Sequence, residues 1–241
     1  MCSNTKYGNI GVMDALINRL REFSTNYMES TEPEPENPYA MFFVVNDDKN
    51  VTLITEDVLT AVAKATVLMV TSETHKAAVD EWMKQRIRKL VKRGRNKAWD
   101  DLETLDYIEV EFGTAKVRVF PPVPVQDAAP AIKKLQVVGL TTVPASDLPS
   151  YETYLHISYD ASLTMTTGKA AAQGGHATQL FLMKADPTKI DEWLNTGANL
   201  IFSFAETLQD HPFDVEVHDA GFTEVASGSK TAIAKFVSPN I

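Results

Sequence analysis

One stretch of this chain decides its fold: Thr167-Gly-Lys-Ala-Ala-Ala-Gln-Gly-Gly-His-Ala177. It opens with a residue that caps helices well, and small residues then surround a few polar ones. Lys169, Gln173 and His176 are spaced i, i+4, i+7, so they share one face of the predicted helix. The small residues let this helix approach a sheet closely. Each glycine in a helix costs about 1 kcal/mol relative to alanine, so three glycines here need a packing or functional reason.

A second polar segment follows about forty residues later, Asp219-Ala-Gly-Phe-Thr-Glu-Val-Ala-Ser-Gly-Ser-Lys-Thr231. It begins after a short predicted strand over 215–217, and Gly221 permits a turn directly after that strand. A hairpin of this length brings its two threonines near Asp219. The two segments together therefore predict one pocket. Its candidate catalytic residues are Lys169, Asp219, Thr223 and Thr231, with Gln173 and His176 as accessory residues.

Each of these residues also has a purely structural interpretation, which stays open when the residue is taken alone. Lys169 could be a solvated lysine, although a cation near a helix N-terminus is unfavourable. His176 could be a hydrogen-bonded structural histidine, and Asp219 could cap a turn. The two threonines could be ordinary strand residues.

Composition sets broad limits on the class of protein. The chain has 241 residues, 44% of them hydrophobic, which suits one large packed domain or two small ones. Its single cysteine, Cys2, cannot form an internal disulfide, which favours the cytoplasm. No Cys/His cluster has zinc-ligand spacing, and we expect neither a metal nor a cofactor. No run of about 18 apolar residues predicts a membrane span.

Charge is distributed unevenly along the chain. The net charge of −9 argues mildly against nucleic acid, but eight of the 23 lysines and arginines lie in 84–97 without any Asp or Glu. We interpret this run as a helix and its end that contact phosphates of RNA, with a solvated surface as the alternative. The residues concerned are Lys84, Arg86, Arg88, Lys89, Lys92, Arg93, Arg95 and Lys97.

The two halves of the chain resemble each other. Both show a strand, a helix, a helix with Glu-Trp, and then two strands. Most of the matching segments lie 111 or 112 residues apart in the sequence. A tandem duplication explains this pattern, and chance similarity of two α/β segments is the alternative. The matching segments are 41–48 with 153–160, 64–66 with 176–178, 80–83 with 191–194, and 107–120 with 214–236.

Proline-rich breaks suggest where the parts begin and end. Residues 1–38 are predicted to be an N-terminal helix and an acidic, proline-rich linker, 39–143 a first repeat carrying the basic helix, and 151–241 a second repeat. The first repeat lacks the polar set of the second. Asp57, Ala61 and Lys64 stand where the second has its Lys, Gln and His, and Glu111-Phe-Gly113 stands where it has Asp-Ala-Gly.

Taken together, the two polar segments resemble the archaeal and eukaryotic type of peptidyl-tRNA hydrolase, often called the second family. That family's pattern is roughly Gly-Lys-x-Ala-Ala-Gln-x-x-His-Ala, followed later by Asp-Ala-Gly-x-Thr-x-x-x-x-Gly-Ser-x-Thr. The resemblance covers about residues 153 to 237. The chain departs from the pattern at Thr166, where a second Lys is usual, at Phe222, where a basic residue is common, and in a crossover helix shortened to roughly 206–210.

The resemblance implies a small α/β domain with a mixed sheet flanked by helices, and here two such repeated units. It also implies hydrolysis of the ester between a peptide and tRNA, with Lys169, Asp219, Thr223 and Thr231 as the catalytic set and no cofactor. The first repeat is then a degenerate structural or tRNA-binding partner that takes the place of the second subunit of a homodimer, with a homodimer of the whole chain as the alternative. Two alternatives to a hydrolase stay open: a non-catalytic tRNA- or RNA-binding protein, and a protein-interaction domain.

Overall fold

Two four-stranded mixed sheets of identical strand order form the framework of the chain. A computed structural model describes residues 10–24, 35–221 and 224–240. The α/β class with two mixed sheets flanked by helices is therefore confirmed. Within the described ranges, no helix is long and apolar enough to cross a membrane.

The first unit is built on the apolar run of 40–45, which is buried along its whole length, as is typical of a strand covered on both faces. Its elements, with the N-terminal helix, are α1 (Ile10–Glu22), β1 (Tyr39–Asn46), α2 (Thr55–Val70), α3 (Lys76–Met83), β2 (Lys89–Gly94), α4 (Lys97–Asp100), β3 (Ile108–Phe112), β4 (Ala115–Pro124) and α5 (Pro130–Lys133). The sheet has the order β2-β1-β4-β3, with β1 parallel to β2 and the other pairs antiparallel.

The second unit repeats this arrangement. Its elements are β5 (Tyr154–Asp160), α6 (Thr167–Lys184), α7 (Pro187–Asn195), β6 (Leu200–Ala205), β7 (Val215–His218) and β8 (Lys230–Val237). The sheet has the order β6-β5-β8-β7, with β5 parallel to β6 and the remaining pairs antiparallel.

Equivalent contacts recur in the two units. The indole nitrogen of Trp82 donates to the carbonyl of Arg88, and that of Trp193 donates to the carbonyl of Asn199, at 3.2 and 2.7 Å. These same carbonyls accept from the backbone of Met41 and Leu155. By these contacts Met41 in the first strand of the first unit corresponds to Leu155 in the second unit. The sequence match had paired Met41 with Thr153, two residues earlier. This shared topology and contact pattern is what the proposed duplication requires.

Three expectations about local structure are wrong. The basic run is not a helix, because α3 ends at Met83 and Lys89–Gly94 is a parallel edge strand, β2. The segment 206–210 is not helical either. The predicted order of elements is also incomplete, because it lacks β2 in the first unit and β6 in the second. These strands pair in parallel with β1 and β5. Burial alternates over the first four residues of β2, with Lys89 and Val91 buried and Leu90 and Lys92 half-buried, as expected of a strand rather than a helix.

One continuous hydrophobic core joins the units. Helices α2 and α6 pack against each other at its centre, while α6 also contacts β2 and α2 also contacts β6. Helix α1 lies across the far ends of both central helices. Arg19 donates to the carbonyl of Val70 at the end of α2, and Arg21 donates to that of Ala185 at the end of α6. Cations at helix C-termini are favourable, so α1 stabilises the joined units.

Candidate active site

Asp219 lies in the tight connection that follows β7. Its backbone N–H donates to Ser229 at 2.9 Å, its carbonyl accepts from Gly228 at 2.7 Å, and its Oδ1 accepts from the Gly221 N–H at 2.8 Å. Gly221 has φ +79° and a Cβ there would meet the Ser227 backbone at 2.8 Å, so only glycine fits this turn. The loop is thereby folded back on the aspartate and holds its carboxylate in one orientation.

Lys169 and Gln173 reach the same carboxylate oxygen from successive turns of α6. The Lys169 ammonium lies 2.5 Å from Asp219 Oδ2, and Gln173 Nε2 donates to that oxygen at 2.6 Å. The lysine and aspartate side chains are only 9% and 6% exposed. A charge pair shielded from water in this way is strongly coupled, and removing one partner leaves a buried charge unbalanced.

Thr231 acts on this pair through the glutamine. It is fully buried in β8, and its hydroxyl donates to Gln173 Oε1 at 2.9 Å. The amide of Gln173 is therefore fixed, with its nitrogen facing Asp219. The other predicted threonine, Thr223, and the departure at Phe222 lie outside the described residues.

His176 faces a lysine from the other unit. Its Nδ1 lies 3.2 Å from Lys89 Nζ, which also donates to Gln179 Oε1 at 2.5 Å. Burial lowers the pKa of Lys89 well below its ordinary value. Burial also lowers the pKa of His176 well below its ordinary value, and the neighbouring Lys89 and Lys169 cations add to that shift.

The glycines of α6 have packing reasons. A Cβ on Gly174 would come within 2.5 Å of the Tyr159 hydroxyl, and one on Gly175 within 2.7 Å of Thr66 Oγ1 on α2. Gly175 also leaves room for the aliphatic stem of Lys89, whose Cδ would lie 3.3 Å from the added carbon. The small residues therefore let α6 approach its own sheet and the other unit at once.

Glu224, which the sequence interpretation did not single out, contacts the N-terminus of α6 through Thr166. The helix is capped by Thr166, not by Thr167, and the Thr166 hydroxyl accepts from the Lys169 N–H at 3.2 Å. Glu224 in turn accepts from the Thr166 N–H and hydroxyl at 2.9 and 2.8 Å. A carboxylate suits a helix N-terminus, but its distance in sequence from the helix gives no local signal.

A cavity of about 600 Å³ opens above the Lys169–Asp219 pair, and both units form its walls. The second unit contributes Lys169, Gln173, His176 and Asp219, together with Glu224 and the loop of Ser227 and Gly228. The first unit contributes 86–91 and two valines, Val125 and Val137. The site is thus composite, with its polar floor in one unit and a basic wall in the other.

Only part of the predicted basic cluster faces this cavity. Arg86 and Arg88 line it beside Lys89, which is itself only 6% exposed. The remaining members are held by other groups of the first unit: Lys84 by Glu81, Arg93 and Arg95 by Asp47, Lys97 by Asp101, and Lys92 by the carbonyls of Ile132 and Leu135. The run is therefore not one continuous cationic face.

The equivalent position in the first unit is differently built. Asp57 accepts from the backbone and hydroxyl of Thr114 at 2.7 and 2.9 Å, and Lys64 donates to the carbonyl of Gly197. A smaller cavity of about 330 Å³ lies here, lined by Glu56 and Asp57 and by the connector between the units. Among the described residues, no group of three His, Cys, Asp or Glu side chains could hold a metal ion.

Comparisons with protein-family models, with curated proteins and with solved structures find no match for this chain. Its function is therefore inferred from the geometry of the composite cavity.

Proposed function

We propose that the chain hydrolyses the ester bond between tRNA and a peptide or an N-blocked amino acid, and that the second unit supplies the chemistry. One observation carries the proposal. Lys169, Gln173, Asp219 and Thr231 come from a helix, a turn and a strand, yet form one connected hydrogen-bond chain at the floor of a cavity. The resemblance to the second peptidyl-tRNA hydrolase family assigns three of these residues, Lys169, Asp219 and Thr231, to ester hydrolysis together with Thr223, and makes Gln173 an accessory residue.

The arrangement suits attack by an oriented water. Within the described ranges the Asp219 carboxylate accepts three hydrogen bonds, from Lys169, Gln173 and Gly221, and a carboxylate has about four acceptor positions. The remaining one can accept from a water that attacks the ester carbonyl carbon. Lys169 then stabilises negative charge on the carbonyl oxygen. The bond to the ribose 3′ oxygen breaks, that oxygen takes up a proton, and free tRNA and a carboxylic acid result.

Positive charge on the cavity wall supports a polyanionic substrate. Arg86 and Arg88 belong to the first unit and face the cavity that contains the Lys169–Asp219 pair. Guanidinium groups bind phosphate in a bidentate manner, and such contacts fix the register of a nucleic acid. In this proposal the degenerate first unit binds tRNA. It packs against the second unit in the place that the other subunit of a homodimer would take. Each unit then corresponds to one hydrolase-like domain of a cytoplasmic protein that acts in translation.

The experiment is release of free tRNA from an N-blocked aminoacyl-tRNA by the full chain. Asp219→Asn keeps the shape of the side chain and is expected to lower the rate by at least about 10²-fold. Asp214→Asn is the matched control, because Asp214 is a lysine-paired aspartate at the other end of β7, 2.5 Å from Lys189. Equal rates for the wild type and Asp219→Asn would remove the basis of the proposal.

The alternative, a tRNA- or RNA-binding protein without catalysis, rests on the same basic wall. It predicts that Asp219→Asn and the wild type bind tRNA equally and that neither releases it from the ester. The release assay and a binding assay on the same proteins therefore separate the two functions.

A further inference from the structure

Lys89 differs from every other member of the basic run, because it points into the protein. It lies in β2 of the first unit, 6% exposed, with its ammonium group 5.0 Å from the centre of the Trp82 ring. Its two hydrogen-bond partners, Gln179 Oε1 and His176 Nδ1, both belong to α6 of the second unit. A surface contact to phosphate does not explain a lysine in this position.

The chemistry of these contacts determines the state of the histidine. The Lys89 nitrogen carries at least two hydrogens in either protonation state, enough for both partners. An ammonium group has no lone pair, so a charged Lys89 can only donate; His176 Nδ1, 3.2 Å away, is then the acceptor and the ring proton lies on Nε2. A neutral Lys89 could instead accept from Nδ1–H, and the position of the ring proton distinguishes the two arrangements. Burial is the main cause of the lowered pKa of the His176 ring, and the nearby Lys89 and Lys169 cations lower that pKa further.

We infer that Lys89 is a positioning residue through which the first unit completes the site: it holds His176 neutral, with its proton on Nε2. His176 lines the cavity, and in the proposed function its Nε2–H donates to the bound substrate. The use of that donor during ester hydrolysis rests on the proposed function, whereas the protonation state of the ring does not. Gly175 is the matching adaptation on α6, since it makes room for the lysine stem.

Other charged groups also border this cavity and enter the test. They lie on three parts of the chain: β2 and the segment before it (Lys89, Arg86 and Arg88), α6 (Lys169), and β7 with the loop after it (His218, Asp219 and Glu224). Among these, Lys89 is hydrogen-bonded to the His176 ring, so its removal should change the ring more than removal of a lysine elsewhere on β2.

Long-range proton–nitrogen NMR of the full chain, labelled at its five histidines, reads the ring directly. His176→Gln assigns the signal. At about pH 7 the wild type should show unprotonated Nδ1 and protonated Nε2, and should stay neutral through the ordinary histidine range near 6.5. In Lys89→Met the ring should titrate at higher pH and populate both tautomers. Lys92→Met, which alters a lysine on the same strand that caps α5, should leave the ring unchanged.

A wild-type ring with protonated Nδ1 would overturn the inference, even if Lys89→Met failed to fold. An identical titration in the wild type and in folded Lys89→Met would overturn it as well. On the proposed substrate, Lys89→Met should lower kcat about 10- to 100-fold, less than the 10²- to 10³-fold typical when an oxyanion donor is removed outright. If the wild type releases no tRNA, the proposed function fails while the NMR result still decides the role of Lys89.

Discussion

Gly175 on α6 faces Thr66 on α2 where the two central helices cross, so closely that a methyl carbon on Gly175 would lie 2.7 Å from the Thr66 hydroxyl oxygen. That hydroxyl donates to the carbonyl of Val62, one turn earlier on α2, at 2.9 Å. The two units are therefore joined at a crossing that leaves no space for a larger side chain. Their joint packing forms the composite cavity.

Gly175→Ala is expected to destabilise the chain. Alanine favours the helix by about 1 kcal/mol, but forcing an extra carbon into a close-packed crossing typically costs about 1 to 3 kcal/mol, so packing should prevail. Thermal or denaturant unfolding measures the difference. The control is Gly168→Ala on the same helix, whose added carbon would have its nearest neighbour at 3.6 Å. A Gly175→Ala protein as stable as Gly168→Ala would contradict the close crossing.

Thr231→Val should damage activity without changing the residues that face the cavity. Valine keeps the shape but removes the donor to Gln173 Oε1, so the amide that holds Asp219 is no longer fixed. A buried acceptor left without its donor costs about 1 to 3 kcal/mol, so unfolding should be easier too. Thr231→Ser keeps the hydroxyl and should restore most of the hydrolysis rate. If valine and serine variants behave alike, the hydroxyl has no such role.

Stability should fall as the solution becomes more acidic than about pH 6.5. The pKa of His176 and that of His156 are both lowered in the folded state, mainly by burial. Below the ordinary value the unfolded chain therefore binds protons that the folded chain does not, and unfolding is favoured by up to about 1.4 kcal/mol per pH unit for each histidine.

Denaturant unfolding between about pH 7 and pH 5 tests this slope. His176→Gln and His156→Gln should each flatten it, and the double variant should flatten it further. A slope that survives in the double variant would assign the acid sensitivity to other groups.

Arg86 and Arg88 should account for most of the salt-dependent affinity for tRNA. Replacing both with Gln should weaken binding and lower the slope of log K against log salt by about 0.7 to 0.9 for each phosphate that the protein no longer neutralises. Lys84→Gln with Lys97→Gln removes the same charge from exposed lysines that pair with Glu81 and Asp101 and do not line the cavity. An equal decrease in affinity for both double variants would indicate a general charge effect instead of a specific wall.

The sequence predicted local features well where small and polar residues follow a strict spacing. The shared helix face of Lys169 and Gln173, and their meeting with Asp219, follow from the period of the helix and from the turn at Gly221. The role of Thr231 as a partner of Gln173 was not predicted, because hydrogen-bond direction depends on how β8 lies beside α6.

Features that depend on packing between the units could not be predicted from local patterns. The run of 84–97 has no acidic residue of its own, which indicated an exposed helix. Asp47 and the carbonyl of Ile132, both distant in sequence, hold Arg93, Arg95 and Lys92, and Asp101, just beyond the run, holds Lys97. Edge strands rich in Lys and Arg have weak apolar periodicity, so β2 was missed. The hydrogen bond of Lys89 with His176 joins residues 87 positions apart and arises only from the packing of β2 on α6.

The most direct measurement compares two lysine variants in hydrolysis of an N-blocked aminoacyl-tRNA under single-turnover conditions. Lys169→Met removes the cation that touches Asp219, and Lys189→Met removes one that touches Asp214 in the same unit, each pair being 2.5 Å apart. Ester hydrolysis at this site predicts a rate for Lys169→Met at least about 10²-fold below the wild type and a rate for Lys189→Met close to it. Equal rates for the two variants, or no tRNA release by the wild type, would contradict it.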